Sequence, residues 1–149
     1  MVAGYCWNWV TKKKNDPSIY DINIDQYIFH MSWNLGNTQT WAIDRDSIDQ
    51  CGCIHTCQGL EFDYVGVIIG DDLRYENNKL ITDPSKRAKT DRSMYVYVKL
   101  SKTDPVGAHR KADEIIRNTY RTLMTRGMKG CYIYCTDKKL AEYIRHQMG

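Results

Sequence analysis

Residues 64–69 read Tyr-Val-Gly-Val-Ile-Ile, an almost unbroken apolar run that stops at Gly70. Such a run predicts a strand covered on both faces. Cys131-Tyr-Ile-Tyr-Cys135 predicts a second strand. Between them Ala112, Ile115, Ile116, Thr119, Tyr120 and Leu123 return at helical spacing, with Arg110, Arg117 and Arg121 on another face. Asp104 and Pro105 supply the start of that helix, as cap and first residue. Gly127 and Gly130 are expected to close it. Thr136 is expected to cap a last helix carrying Leu140, Tyr143 and Ile144 along one side. The order strand, helix, strand, helix predicts a largely parallel sheet with helices packed on it.

The first half is less regular. Residues 2–10 are predicted as the opening strand, followed by a basic loop with Lys12, Lys13 and Lys14 and a turn at Asp16-Pro17. Residues 20–24 alternate and predict a short strand, whereas 27–33 fit either period. Residues 34–37 carry turn chemistry, 41–44 form a short apolar piece and 46–50 suit a helical turn. Residues 51–54 predict a strand entering a turn at Gln58-Gly59, with a short helix near Leu60 possible. Asn77-Asn78 predicts a two-residue hairpin turn. Asp71-Asp72 reads as a loop cap. Residues 83–93 lack hydrophobic periodicity and read as a mobile basic loop, and 94–100 alternate again.

Length and composition fit one folded domain: 149 residues, 42% hydrophobic and 26% charged. A net charge of +3 is too small to establish a nucleic-acid partner, so the placement of charges decides. No apolar run approaches the roughly 18 residues of a membrane span, so no membrane association is expected. The first residues lack a signal peptide's charged start and apolar core. The expected location is cytoplasmic, with the six cysteines as free buried thiols. Because an element begins almost at Met1, the chain reads as a fragment of a longer protein.

Candidate chemistry concentrates in His55-Thr-Cys-Gln-Gly-Leu-Glu-Phe-Asp63, just before the apolar strand, and in Asn118 to Gly127, just before the next one. Two charged loops at strand ends point to a ligand site at a sheet edge. Gly59 lets backbone approach a ligand. Glu61 can accept from hydroxyls such as those of a ribose, and His55 and Thr56 can donate to phosphate or stack on a base. The same residues could instead form a surface turn that caps a short helix. Arg126 could likewise satisfy carbonyls at a helix end. Lys12 to Lys14, and Lys86, Arg87, Lys89 and Arg92, could touch a phosphate backbone or be merely solvated. Trp7, Trp9, Trp33 and Trp41 suit core packing, with at most one stacked on a base. Cys51, Cys53, His55 and Cys57 share a face if extended, but four neighbours on a straight strand do not converge on zinc, so no metal is expected. No cysteine pairs with a particular histidine for catalysis, and no acidic cluster supports a nuclease.

Taken together, the two segments resemble motifs V and VI of superfamily 1 DNA/RNA helicases. The motif V pattern is Thr-x-His-x-x-Lys-Gly-Leu-Glu-Phe, and Thr119 to Gly127 contains the Thr-Arg core of motif VI. The wider chain is similar to the Schlafen group 3-type DNA/RNA helicase domain family in Ala3-Gly-Tyr-Cys-Trp7, in Cys53 to Tyr64 and in Asn118 to Tyr134. Gln58 stands where many superfamily members have Lys, and Cys53 where the motif has Thr.

The resemblance implies an α/β fold: a three-layer, largely parallel sheet of P-loop NTPase (RecA-like) type, spanning 1–149 with an insertion at about 74–104. It would be the second half of a helicase, since no G-x-x-x-x-G-K-[ST] occurs. It implies Gln58, Gly59 and Glu61 at a nucleotide cleft, Glu61 meeting the ribose, and Arg126 as the arginine finger. His55 and Thr56 would face DNA or RNA, taken as single-stranded. ATP with Mg would bind only together with an N-terminal RecA-like half that this chain lacks, and the chain alone would carry no cofactor. The competing expectation is a non-catalytic module, binding nucleic acid or protein on a degenerate RecA-like fold.

Overall fold

The computed structural model describes residues 1–10, 18–34, 41–57 and 59–149, leaving aside the Asp46 side chain. Gln58 and the Lys12 to Lys14 loop lie outside the described residues, as does most of the turn expected at 34–37. The strands are β1 (Val2–Ala3), β2 (Ile22–Ile24), β3 (Phe29–Trp33), β4 (Gln50–Cys51), β5 (Phe62–Ile69), β6 (Leu73–Glu76), β7 (Lys79–Thr82) and β8 (Gly127–Cys135). The α-helices are α1 (Tyr95–Leu100), α2 (Pro105–Met124) and α3 (Lys138–Met148).

The core of the fold is the parallel sheet β1-β5-β8. Its longest ladder runs from Phe62 opposite Gly127 to Ile69 opposite Cys135. A second sheet, β2-β3-β4, adjoins it through Gly52, which makes a parallel bridge to Val2. The Gly52 amide donates to the Met1 carbonyl (2.9 Å), and the Ala3 amide to the Gly52 carbonyl (3.0 Å). The expected α/β architecture is therefore present, with a parallel three-stranded sheet compatible with a RecA-like fold.

Strand alternation sorts the core onto two faces. Val65, Val67 and Ile69 pack with Ile116, Tyr120 and Leu123 of α2 and with Leu140 of α3. Each fully buried side chain of that size contributes roughly 1.5–3 kcal/mol. Ile68 looks the other way, toward Ala3, Ile22, Trp33 and Cys51. That side carries an aromatic group in which the rings of Tyr5 and Trp33 stack at 5.4 Å.

Local signals fixed many element ends. The Asp104 carboxylate accepts from the Gly107 amide (2.9 Å) with Pro105 in the first turn, as expected of α2. Asn77 and Asn78 both have positive φ, 50° and 61°, as a two-residue hairpin turn of β6 and β7 requires.

Other expectations need correction. The first strand ends at Ala3, because the chain turns at Tyr5 and folds its aromatic side chains back onto Trp33. Among the described residues no helix forms at Leu60; residues 54–56 form a turn and 57 a bend. Residues 94–100 form a 3-10 turn and α1 instead of an alternating strand. Thr125 occupies the C-cap of α2, while Gly127 and Gly130 belong to β8. Asp137, not Thr136, caps α3, accepting from the Leu140 amide at 2.7 Å. Gly127 and Gly130 flank a bulge: Phe62 faces Gly127 and Tyr64 faces Gly130, so β8 holds one residue more than β5 there.

The largest correction concerns 83–93. It is built from two 3-10 turns, Pro84–Lys86 and Arg92–Met94, capped by Asp83 and Asp91. Arg87 is buried between them, paired with Asp72 (3.0 Å) and Asp91 (2.6 Å). Asp72 is accordingly no loop cap but a buried acceptor, and Arg87 is no phosphate contact.

Candidate functional site

The two charged loops meet at the edge where β5 and β8 begin. Arg126 follows the C-cap of α2, and its carbonyl accepts from the Phe62 amide at 2.8 Å. Its Nη1 donates to the Leu60 carbonyl (3.3 Å) and its Nε to the Thr122 carbonyl (3.2 Å). Arg126 is thus joined directly to the 59–61 bend. The bond to Thr122 also satisfies a carbonyl at the end of α2, the plain structural job open to this residue. The half-buried guanidinium has carbonyl partners only, and no carboxylate pairs with it among the described residues.

Gly59 is exposed with φ +79°, a conformation that favours glycine, and the space a Cβ would occupy is open. Glu61 is exposed, with no side-chain hydrogen bond among the described residues. His55 is exposed in the turn after Cys53. The Thr56 hydroxyl is already engaged, accepting from the Cys53 amide (2.8 Å) and donating to the Cys53 carbonyl (2.9 Å). Arg126, Gly59 and Glu61 therefore share one edge, while Thr56 closes its own turn.

Cys51, Cys53, Cys57 and Cys135 sit in the apolar core, and Cys6 beside the Tyr120 hydroxyl. Burial pushes the Cys57 and Cys135 thiols up to about 11 each, and the Cys6 and Cys51 thiols higher still. At neutral pH they stay protonated, which suits neither a nucleophile nor a thiolate ligand.

Sequence reasoning missed the polar network at the opposite edge. The Tyr120 hydroxyl donates to Asp72 and accepts from the Gly70 amide (3.0 Å), with the Cys6 sulfur 3.7 Å away. Burial, and then the neighbouring Cys6 and Asp72, hold the Tyr120 hydroxyl well above its usual range, so it remains a donor. Burial works against the charge on Arg87, but Asp91 and Asp72 outweigh it and its pKa rises. The only local hint was the spacing of Arg87 and Asp91 one helical turn apart.

Residues 1–137 match the family described as Schlafen group 3, DNA/RNA helicase domain. The chain belongs to this family. Membership gives the Schlafen group 3 domain a nucleic-acid-related function. The domain is also 30% identical over 104 residues to the uncharacterized protein YPL245W of Saccharomyces cerevisiae. That alignment covers 70% of this chain and 22% of the yeast protein, so the chain spans about a fifth of that relative's length. No solved structure matches. Among the described residues no helix of the domain is long and apolar enough to cross a membrane.

Proposed function

We propose that this domain is the second RecA-like half of a nucleic-acid-dependent ATPase or helicase, with Arg126 as its arginine finger. The observation that carries the reading is the half-buried Arg126 guanidinium, bonded to the Leu60 and Thr122 carbonyls and lacking a described carboxylate partner. A guanidinium has five N–H donors, and these bonds use two. A partly desolvated cation with donors to spare suits an incoming phosphate oxygen.

Glu61 and Gly59 stand on the same bend, and the reading gives Glu61 the ribose and Gly59, with Gln58, the wall of the cleft. His55 is available to nucleic acid, taken as a single strand, and Thr56 shapes the turn that presents it. These residues fit one side of a nucleotide and offer no cradle for its phosphates, so ATP with Mg is held jointly with a first RecA-like half outside this chain. When bound, ATP supplies the γ-phosphoryl group; Arg126 contributes a fixed positive charge beside it.

Nucleic-acid-stimulated ATPase of the intact protein tests this. Arg126→Ala lowers turnover about a thousandfold with nucleotide binding much less affected. Arg126→Lys keeps the charge but loses the fork and restores little. An unchanged rate in both variants removes the finger role and leaves Arg126 as a helix-end donor.

A further inference from the structure

We propose a second ligand site at the opposite edge of the sheet: the cavity between Trp7 and residues 85–89 takes one nucleotide of a single nucleic-acid strand, its base on the Trp7 indole and its phosphate at Lys86 and Lys89. The inference rests on the nucleic-acid reading above and supplies it with a contact surface. The cavity holds about 360 Å³, within the range of small-ligand sites. It lies beyond the carboxyl ends of β1 and β5, where open α/β sheets place ligands.

The lining joins two features that are far apart in sequence. Of the four tryptophans, Trp33 and Trp41 are buried, and Trp9 packs its ring against Tyr5 and Trp33. Trp7 is only partly buried, and it borders the cavity. Its carbonyl accepts from the Trp33 indole nitrogen (3.2 Å), which fixes the backbone there, and its side chain packs in part against the core around Tyr5 and Trp33. Lys86 and Lys89 are exposed on the same cavity, and neither is in an ion pair among the described residues. A flat aromatic face beside two unpaired cations is the chemistry that holds a base and its phosphate.

The cationic wall is anchored. Arg87, between the two lysines, is fixed by Asp72 and Asp91. The Ala88 amide donates to the Tyr5 carbonyl (2.9 Å), and the Lys89 amide to the Asn8 side chain (3.2 Å). The backbone carrying both lysines is therefore tied to the segment carrying Trp7, and binding need not order it. Among the described residues, Asp71 is the one carboxylate in the lining. One of its oxygens takes the Thr136 hydroxyl at 2.6 Å, leaving the other as an acceptor for a base amine or a sugar hydroxyl.

Fluorescence anisotropy of the intact protein with labelled 12-mers of oligo-dT and oligo-U, across a salt series, tests the site. Trp7→Leu is expected to weaken binding roughly tenfold with the salt slope unchanged. Lys86→Gln with Lys89→Gln is expected to weaken it and flatten the log–log salt slope by about 0.7, the value for one phosphate on a single strand. Thermal unfolding of each variant identifies loss of fold. Photo-crosslinking of 5-iodouracil oligonucleotides to the unmodified protein needs no variant, and the crosslink should map to Trp7. Wild-type binding that none of the substitutions alters, with crosslinks only elsewhere, overturns this site and leaves the helicase reading standing. Absence of any strand binding by the wild type overturns both. UMP or dTMP displacing the 12-mer as effectively as the unlabelled strand does, or poly-glutamate competing equally well, overturns the assignment to a strand.

Discussion

Arg87 and Arg126 sit at opposite edges of one sheet, and their surroundings give the same side chain opposite uses. Arg87 is 6% exposed and spends its charge on two buried carboxylates. Arg126 is half-buried, bonds only to carbonyls and keeps its charge available. An arginine whose charge is neutralised internally organises structure; one whose charge is left open is free to meet a ligand, the role proposed for Arg126. Basic residues in a sequence therefore say little about binding until their partners are known.

The sharpest way to break this contrast is to exchange the readouts. Arg126→Ala should cost about a thousandfold in ATPase, with a stability loss of only about 1–3 kcal/mol from the Leu60 and Thr122 carbonyls it leaves without a donor. Arg87→Met should act first on stability. It leaves Asp72 and Asp91 buried without their cation, and denaturant titration should register a loss of about 3–5 kcal/mol. If the two variants behave alike, the distinction between the edges fails. Tyr120→Phe probes the same buried network more gently. It leaves Asp72 and the Gly70 amide short of a partner, and should cost about 1–3 kcal/mol by the same titration. At the other edge, Lys129→Ala removes an exposed pair with Asp63 (2.8 Å). A change of at most about 0.5 kcal/mol, reduced further by added salt, would mark that pair as surface decoration.

How much of this was readable in advance depended on where each residue's partner lay. The β5 strand was legible because burial on both faces makes 65–69 nearly all apolar. The start of α2 and the Asn77-Asn78 turn were legible because their chemistry is local, within three residues. The Arg87 network was not: Asp72 lies 15 positions upstream and Tyr120 lies 33 downstream, so the segment looked like a solvated loop. The α1 helix misled for another reason. Tyr95, Val96 and Val98 are all exposed, so their alternation does not report a buried face. In the candidate site, the motif order placed Arg126 and Glu61 near one another, and the bond from Arg126 to Leu60 agrees with that proximity. Sequence could not show that Thr56 has no hydroxyl donor to spare, because that depends on how tightly the 53–56 turn closes.

The bulge at the start of β8 has an implication for anyone rewriting this sequence. A Cβ at position 127 would fall 2.2 Å from the Gly130 carbonyl oxygen and 3.0 Å from a Val65 methyl carbon. The φ there lies outside the left-handed range, so the prohibition is one of volume. A saturation library would find alanine at 127 nearly as unwelcome as leucine, at a site that a burial-weighted design protocol would treat as free to vary. The immediate neighbour of the proposed catalytic arginine is thus a place where the fold has room for a hydrogen and nothing larger.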